Sequence, residues 1–118
     1  MYEERTKFKA EVRDVFSGDD LVLLIDLGVD DLYKRKRVRL HGVDTPNAVK
    51  SRPDTEAGQV RSLVFEMLKR RKLVVTVVSS THNSWVSIVE IVDGSTTTNL
   101  NDVLIAKGYK FNNDKGSQ

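Results

Sequence analysis

The chain contains no cysteine, which excludes disulfides and thiolate metal centres and is compatible with a reducing compartment. Long hydrophobic runs are missing too: the longest apolar stretches are too short to span a bilayer. The first residues, Met1-Tyr2-Glu3-Glu4-Arg5, are charged and lead into no apolar segment of the kind a secretory signal needs. A soluble, cytoplasmic protein without membrane contact is the expectation. Histidine occurs only at positions 41 and 82, with no partners at ligand spacing, so His41 and His82 read as ordinary strand and loop residues. No arginine follows Arg71, and no glutamate lies between Glu11 and Glu56. Internal repeats, low-complexity tracts and linkers are absent as well, and 118 residues with 39% hydrophobic content predict one domain with a single modest core.

What is present is concentrated. The formal charge of +2 divides into net −5 over residues 1–33, +8 over 34–72 and −1 over 73–118. A positive pole of this kind steers and holds a polyanion, because each Lys or Arg that neutralises a phosphate releases condensed counterion. Within it, Lys34 to His41 reads as a strand: Val38 and Leu40 fall on one face, Arg35, Arg37 and Arg39 on the other. Pro46 brings no N–H and ends the ladder, so Asp44 and Thr45 stand where a strand enters a loop, a usual position for catalytic or ligand-binding groups.

The other elements follow from period and punctuation. Phe8, Ala10 and Val12 alternate with charged residues as a half-buried strand; Ser17-Gly18-Asp19-Asp20 makes a turn; Leu21 to Leu27 is apolar on both faces except at Asp26. With the basic strand these predict an antiparallel meander. Asn47 to Pro53 reads as a loop, Asp54 or Thr55 as an N-cap, and Ala57, Val60, Leu63, Val64, Met67 and Leu68 recur at helical spacing. Lys69, Arg70, Arg71 and Lys72 then fall in the expected last turn, where the helix dipole favours cations. Leu73 to Val78 and Trp85 to Val92 read as strands, and Asp93-Gly94 as a hairpin turn. Asn99 or Asn101 caps a short helix through Lys107 with Gly108 as its C′ stop, and 112–118 reads as a disordered tail after a domain of residues 1–111. The order β-β-β-α-β-β-α predicts a mainly β fold with helices (α+β): an OB-fold five-stranded β-barrel with a helix between strands 3 and 4 and a short C-terminal helix.

Gly18-Asp19-Asp20-Leu21-Val22-Leu23, Arg39-Leu40-His41-Gly42-Val43-Asp44-Thr45-Pro46, the Glu56-Ala57 helix start, Asp93-Gly94 and Leu104-Ile105-Ala106-Lys107-Gly108 together resemble the staphylococcal nuclease (thermonuclease) family, in register from about Phe8 to Phe111. The resemblance implies an OB barrel and calcium-dependent hydrolysis of phosphodiester bonds in DNA and RNA. It further implies Asp19 and Asp44 as Ca²⁺ ligands with the Thr45 carbonyl, and Arg39 as the arginine that grips the substrate phosphate.

Two positions depart from that pattern. Asn47 stands where the family has the glutamate credited with activating water, and an amide accepts no proton at neutral pH. Trp85 stands where the family has a second phosphate-binding arginine. Asp54 and Glu56 are the nearest replacements for the base, but each has a helix-start role. The expected function is therefore DNA or RNA binding with weak or no phosphodiesterase activity, through Arg35, Arg37, Arg39, Lys50 and Trp85. The alternatives are an active calcium-dependent nuclease and a protein-interaction module on the same barrel. Trp85 has two readings, a stacking platform for a base or a cap on the core edge. Glu90, where the family is apolar, points to a bulge or local shift in its strand.

Overall fold

The computed structural model describes residues 6–46, 52 and 54–111. Strand β1 (Lys7–Ser17) turns at Gly18-Asp19 into β2 (Asp20–Asp26), which returns as β3 (Tyr33–Leu40). These form the antiparallel meander expected from the alternation. Helix α1 (Glu56–Leu68) follows, then β4 (Lys72–Ser80), β5 (Trp85–Asp93), a short β6 (Thr96–Asn99) and α2 (Leu100–Ala106). The sheet order is β3-β2-β1-β4-β5-β6, and β3 also pairs in parallel with β5 through Val38↔Trp85, Arg39↔Val86 and Leu40↔Ser87. That pairing closes a mixed five-stranded barrel, with α1 between its third and fourth strands as predicted.

Side-chain parity builds the core. Leu21, Leu23 and Ile25 of β2, Val38 and Leu40 of β3, Leu73 and Val75 of β4, and Val89 and Ile91 of β5 all point inward. Val60, Val64 and Leu68 bring the apolar stripe of α1 onto the barrel, and Leu100 and Leu104 do the same for α2. In β1 the alternation is broken by register shifts between Val12 and Asp14 and between Val15 and Ser17.

Four expectations change in detail. Thr55 is the N-cap of α1, its hydroxyl accepting from Gly58 N at 3.1 Å, and Asn99 caps α2 by accepting from Asp102 N at 3.0 Å. The basic quartet does not occupy the last helical turn: α1 ends at Leu68, Lys69 is extended, Arg70 is left-handed (φ 59°) and Lys72 already belongs to β4. The Gly94-Ser95 turn leads into β6, a strand without apolar alternation that pairs antiparallel with β5. Glu90 lies in regular register between Val74 and Asn99, while the irregularity sits in β4 between Val77 and Ser79.

One core position is imperfect. Ser87 is fully buried and its hydroxyl has no hydrogen-bond partner, whereas its carbonyl accepts from His41 N and from Asn101 Nδ2. Ser87→Ala removes the orphaned hydroxyl and keeps both backbone bonds, so the urea midpoint should rise by the equivalent of about 0.5–1 kcal/mol. A fall of similar size would mean that the hydroxyl has a partner such as a bound water.

Candidate nucleic-acid interface

The Gly18-Asp19 hairpin turn delivers two adjacent carboxylates to different tasks. Asp19 is buried at the base of the turn; its Oδ1 accepts from Ser17 Oγ at 3.1 Å and from Thr45 Oγ1 at 3.0 Å. Its backbone carbonyl accepts from Leu40 N at 3.0 Å, which fastens the turn to the end of β3. Arg39 Nη2 lies 3.6 Å from Asp19 Oδ2, beyond hydrogen-bond reach, and its side chain is half exposed. Asp20 instead grips Arg37 in a fork, Nε to Oδ1 at 2.9 Å and Nη2 to Oδ2 at 2.6 Å, while the guanidinium carbon stands 5.2 Å from the centroid of the Phe16 ring. The hydrogen bond to Asp20 pushes the Arg37 pKa up, with the Asp20 charge adding to it.

The three outward arginines of β3 therefore differ. Arg37 is committed to Asp20, Arg39 keeps most of its donors for a ligand, and Arg35 forms no ion pair among the described residues. Beside Arg37 and Arg39 the β4–β5 turn builds an open cleft of about 320 Å³, completed by Thr81, Asn83, Ser84 and Val86. The turn is braced by Thr81: its N–H donates to Ser84 O at 2.7 Å, and its Oγ1 accepts from Ser84 N at 3.0 Å. Thr81, Asn83 and Ser84 thus line the same cleft as two guanidinium groups, and guanidinium and amide N–H groups are donors that phosphate and sugar oxygens take. Period-two parity along the chain cannot reveal that this turn folds beside β3.

Asp44 and Thr45 are held from the far end of the chain. Asp44 N donates to Tyr109 O and Phe111 N to Gly42 O, each at 2.8 Å, and Tyr109 Oη donates to Glu56 Oε2 at 2.8 Å. That bond to Glu56 is the main cause of an upward shift of the Tyr109 pKa. The Asp44 residue is exposed, while Thr45 is buried against Asp19. Asn47 and Lys50 lie outside the described residues, as does the segment 112–118.

Trp85 sits on the inward parity of β5 and packs on the core edge. Its ring stacks on Phe8 at 5.2 Å between centroids, and the Lys36 ammonium lies 5.2 Å from the Trp85 ring centroid. Arg39 is paired across the barrel seam with Val86, not Trp85. The structure thus brings together Asp19, Thr45 and Arg39, with Arg37 alongside, and sets the Trp85 ring against the edge of the core beside Phe8.

Calcium takes about six to eight oxygen ligands, largely carboxylate and carbonyl. The donors available here fit it poorly: Asp19 already receives two hydroxyl bonds and faces Arg39, and among the described residues no group of three or more His, Cys, Asp or Glu side chains could hold a metal ion. Among the described residues no helix is long and apolar enough to cross a membrane. Comparison of the chain with protein-family models and with curated proteins found no match.

Proposed function

We propose that this barrel is a nucleic-acid-binding domain of staphylococcal-nuclease-like type with weak or no phosphodiesterase activity. The observation that carries the reading is the outward arginine row of β3, with Arg37 and Arg39 beside the polar β4–β5 turn and Arg35 exposed further along the strand. The face of strands 2 and 3 and the connections β1–β2 and β4–β5 are where OB barrels hold oligonucleotides. Weak or absent cleavage follows from chemistry: Asn47 offers no base and Trp85 is no guanidinium. DNA and RNA are both substrates for such contacts, since phosphate is common to them.

Single-stranded oligonucleotides should bind with an affinity that falls steeply with salt. Arg39→Ala should weaken binding across sequences and lower the slope of log K against log salt by about 1, Arg35→Ala adding a comparable decrement. Cleavage of the same oligonucleotides in Ca²⁺, abolished by chelator and by Asp44→Ala, would overturn the inactive reading. Failure of any oligonucleotide to bind at low salt would overturn the nucleic-acid reading itself.

A further inference from the structure

Asp20 and Arg37 form the shortest ion pair among the described residues, and the partners differ in exposure: the Arg37 side chain is 48% exposed, the Asp20 side chain 10%. The residue opposite Asp20 in the β2–β3 ladder is Arg39, yet the Asp20 carboxylate reaches diagonally to Arg37. Its fork takes one hydrogen from Nε and one from Nη2. A guanidinium carries five N–H donors, so both hydrogens of Nη1 and the second of Nη2 remain, on edges turned away from the carboxylate. Among the described residues those three donate to no protein acceptor. Arg37 also lines the cleft that Arg39 shares with Thr81, Asn83 and Ser84.

Asp20 acts on an anion in that cleft in two opposed ways. Its charge subtracts from the positive field, while its fork removes freedom that a long side chain would otherwise lose on binding. The geometry favours the second effect. The carboxylate is enclosed and the guanidinium half exposed, so the cation is the solvent end of the pair. An anion on the outer edge of Arg37 lies closer to the guanidinium than to the carboxylate, which the fork holds on the opposite side. The Phe16 ring, with its centroid 5.2 Å from Arg37 Cζ, adds a second contact that restricts the group. Arg35 forms no ion pair among the described residues and has its whole side chain to order at each binding event.

We infer that Asp20 is a positioning residue for polyanion binding: it holds Arg37 in place so that the free guanidinium edge is a preset donor for a phosphate in the cleft. The inference rests on the nucleic-acid reading above and divides the arginine row by role. Arg37 contributes through fixed geometry, Arg35 through charge. Lysine is therefore an unequal substitute at the two positions. At 35 an ammonium supplies the same charge; at 37 it cannot take two parallel bonds from one carboxylate and present a planar donor edge beyond them.

The test titrates the full chain into a fluorescein-labelled oligothymidylate, followed by fluorescence anisotropy over a range of salt. Asp20→Asn removes a negative charge, so charge alone calls for tighter binding. The positioning role calls for binding weaker by about three- to tenfold, the range for ordering one long side chain. Arg37→Lys should weaken binding comparably, whereas Arg35→Lys should bind as the wild type does. This pair changes only exposed side chains and decides the matter even where Asp20→Asn fails to fold. In an Arg37→Ala background Asp20→Asn should no longer weaken binding; a β1–β2 turn merely loosened by the substitution would weaken it there as well, and that result overturns the inference. Asp20→Asn binding as tightly as wild type or tighter, or Arg37→Lys and Arg35→Lys binding alike, overturns it too and leaves the nucleic-acid reading standing. Failure of the wild type to bind the probe at low salt overturns both.

Discussion

Asn101→Ala is expected to remove about 3–4 kcal/mol of stability, a large share of the 5–15 kcal/mol typical of a domain. The side chain is buried in the first turn of α2 and reaches three backbone groups on two other segments. Its Oδ1 accepts from Val89 N at 3.0 Å, and its Nδ2 donates to His41 O at 2.9 Å and to Ser87 O at 3.1 Å. Only one orientation of the amide satisfies a donor and two acceptors at once, so the assignment of oxygen and nitrogen is dictated by its surroundings. Alanine would lose the three bonds and also leave Val89 N orphaned in the interior, and an unsatisfied buried group alone costs about 1–3 kcal/mol. Leucine fills the volume but repairs none of this. Aspartate keeps the acceptor for Val89 N while turning a carboxylate on two carbonyls. Its pKa in the folded state is raised, so the deficit of Asn101→Asp should shrink as pH falls below the ordinary aspartate range and grow as pH rises through it. Urea unfolding of the alanine and leucine variants decides the matter: a loss under about 1 kcal/mol in both would show that water takes over the three contacts.

Little of that junction can be read from the chain. Period two and period 3.6 identify which residues share a face, and they found β1 to β5, the stripe of α1 and the turn at Gly18-Asp19 because each is a local pattern. A partner is a tertiary fact. The parity of Arg35, Arg37 and Arg39 was legible, but the fork from Asp20 that occupies Arg37 lies diagonally across the β2–β3 ladder and has no sequence signature beyond the doubled aspartate. The barrel seam rests on a three-residue parallel pairing that no periodicity announces. Strand β6, Thr96-Thr97-Thr98-Asn99, was invisible because it buries no apolar row. Trp85 was readable in hindsight: it shares parity with Ser87, Val89 and Ile91, the inward face of β5, which favours the core-edge reading over an exposed platform. The polar Thr81 to Ser84 turn carried no more signal than any loop until folding set it beside Arg39.

Gly18→Ala should destabilise the chain by about 2–3 kcal/mol, the upper part of the range for overpacking, and should weaken polyanion binding without removing a cation. Gly18 is not called for by a left-handed turn; it is required by proximity. A Cβ there would stand 2.5 Å from Val60 Cγ1, 2.9 Å from Thr45 Cγ2 and 3.0 Å from Thr45 Oγ1. Both neighbours are β-branched and buried, so neither swings away cheaply. Either α1 must lift or the turn after β3 must move. Truncating Val60 as well should recover part of the loss and leave the part due to Thr45, a coupling that a double-mutant cycle measures; strict additivity would mean that Val60 is not the obstacle. The effect on binding has a separate origin. Displacing Thr45 takes a hydroxyl donor from Asp19 Oδ1, and the carboxylate, still buried, is then left with Ser17 and with Arg39 at 3.6 Å. Arg39 should close on Asp19 and become less available to phosphate. Thr45→Val makes the same electrostatic change without the clash, since it deletes the hydroxyl and keeps the shape. It should therefore lower oligonucleotide affinity in the same direction as Gly18→Ala while Arg39→Ala abolishes the difference between them. If Thr45→Val binds as wild type does, Asp19 is stabilised without Thr45, and the link between the Gly18 turn and the arginine row fails.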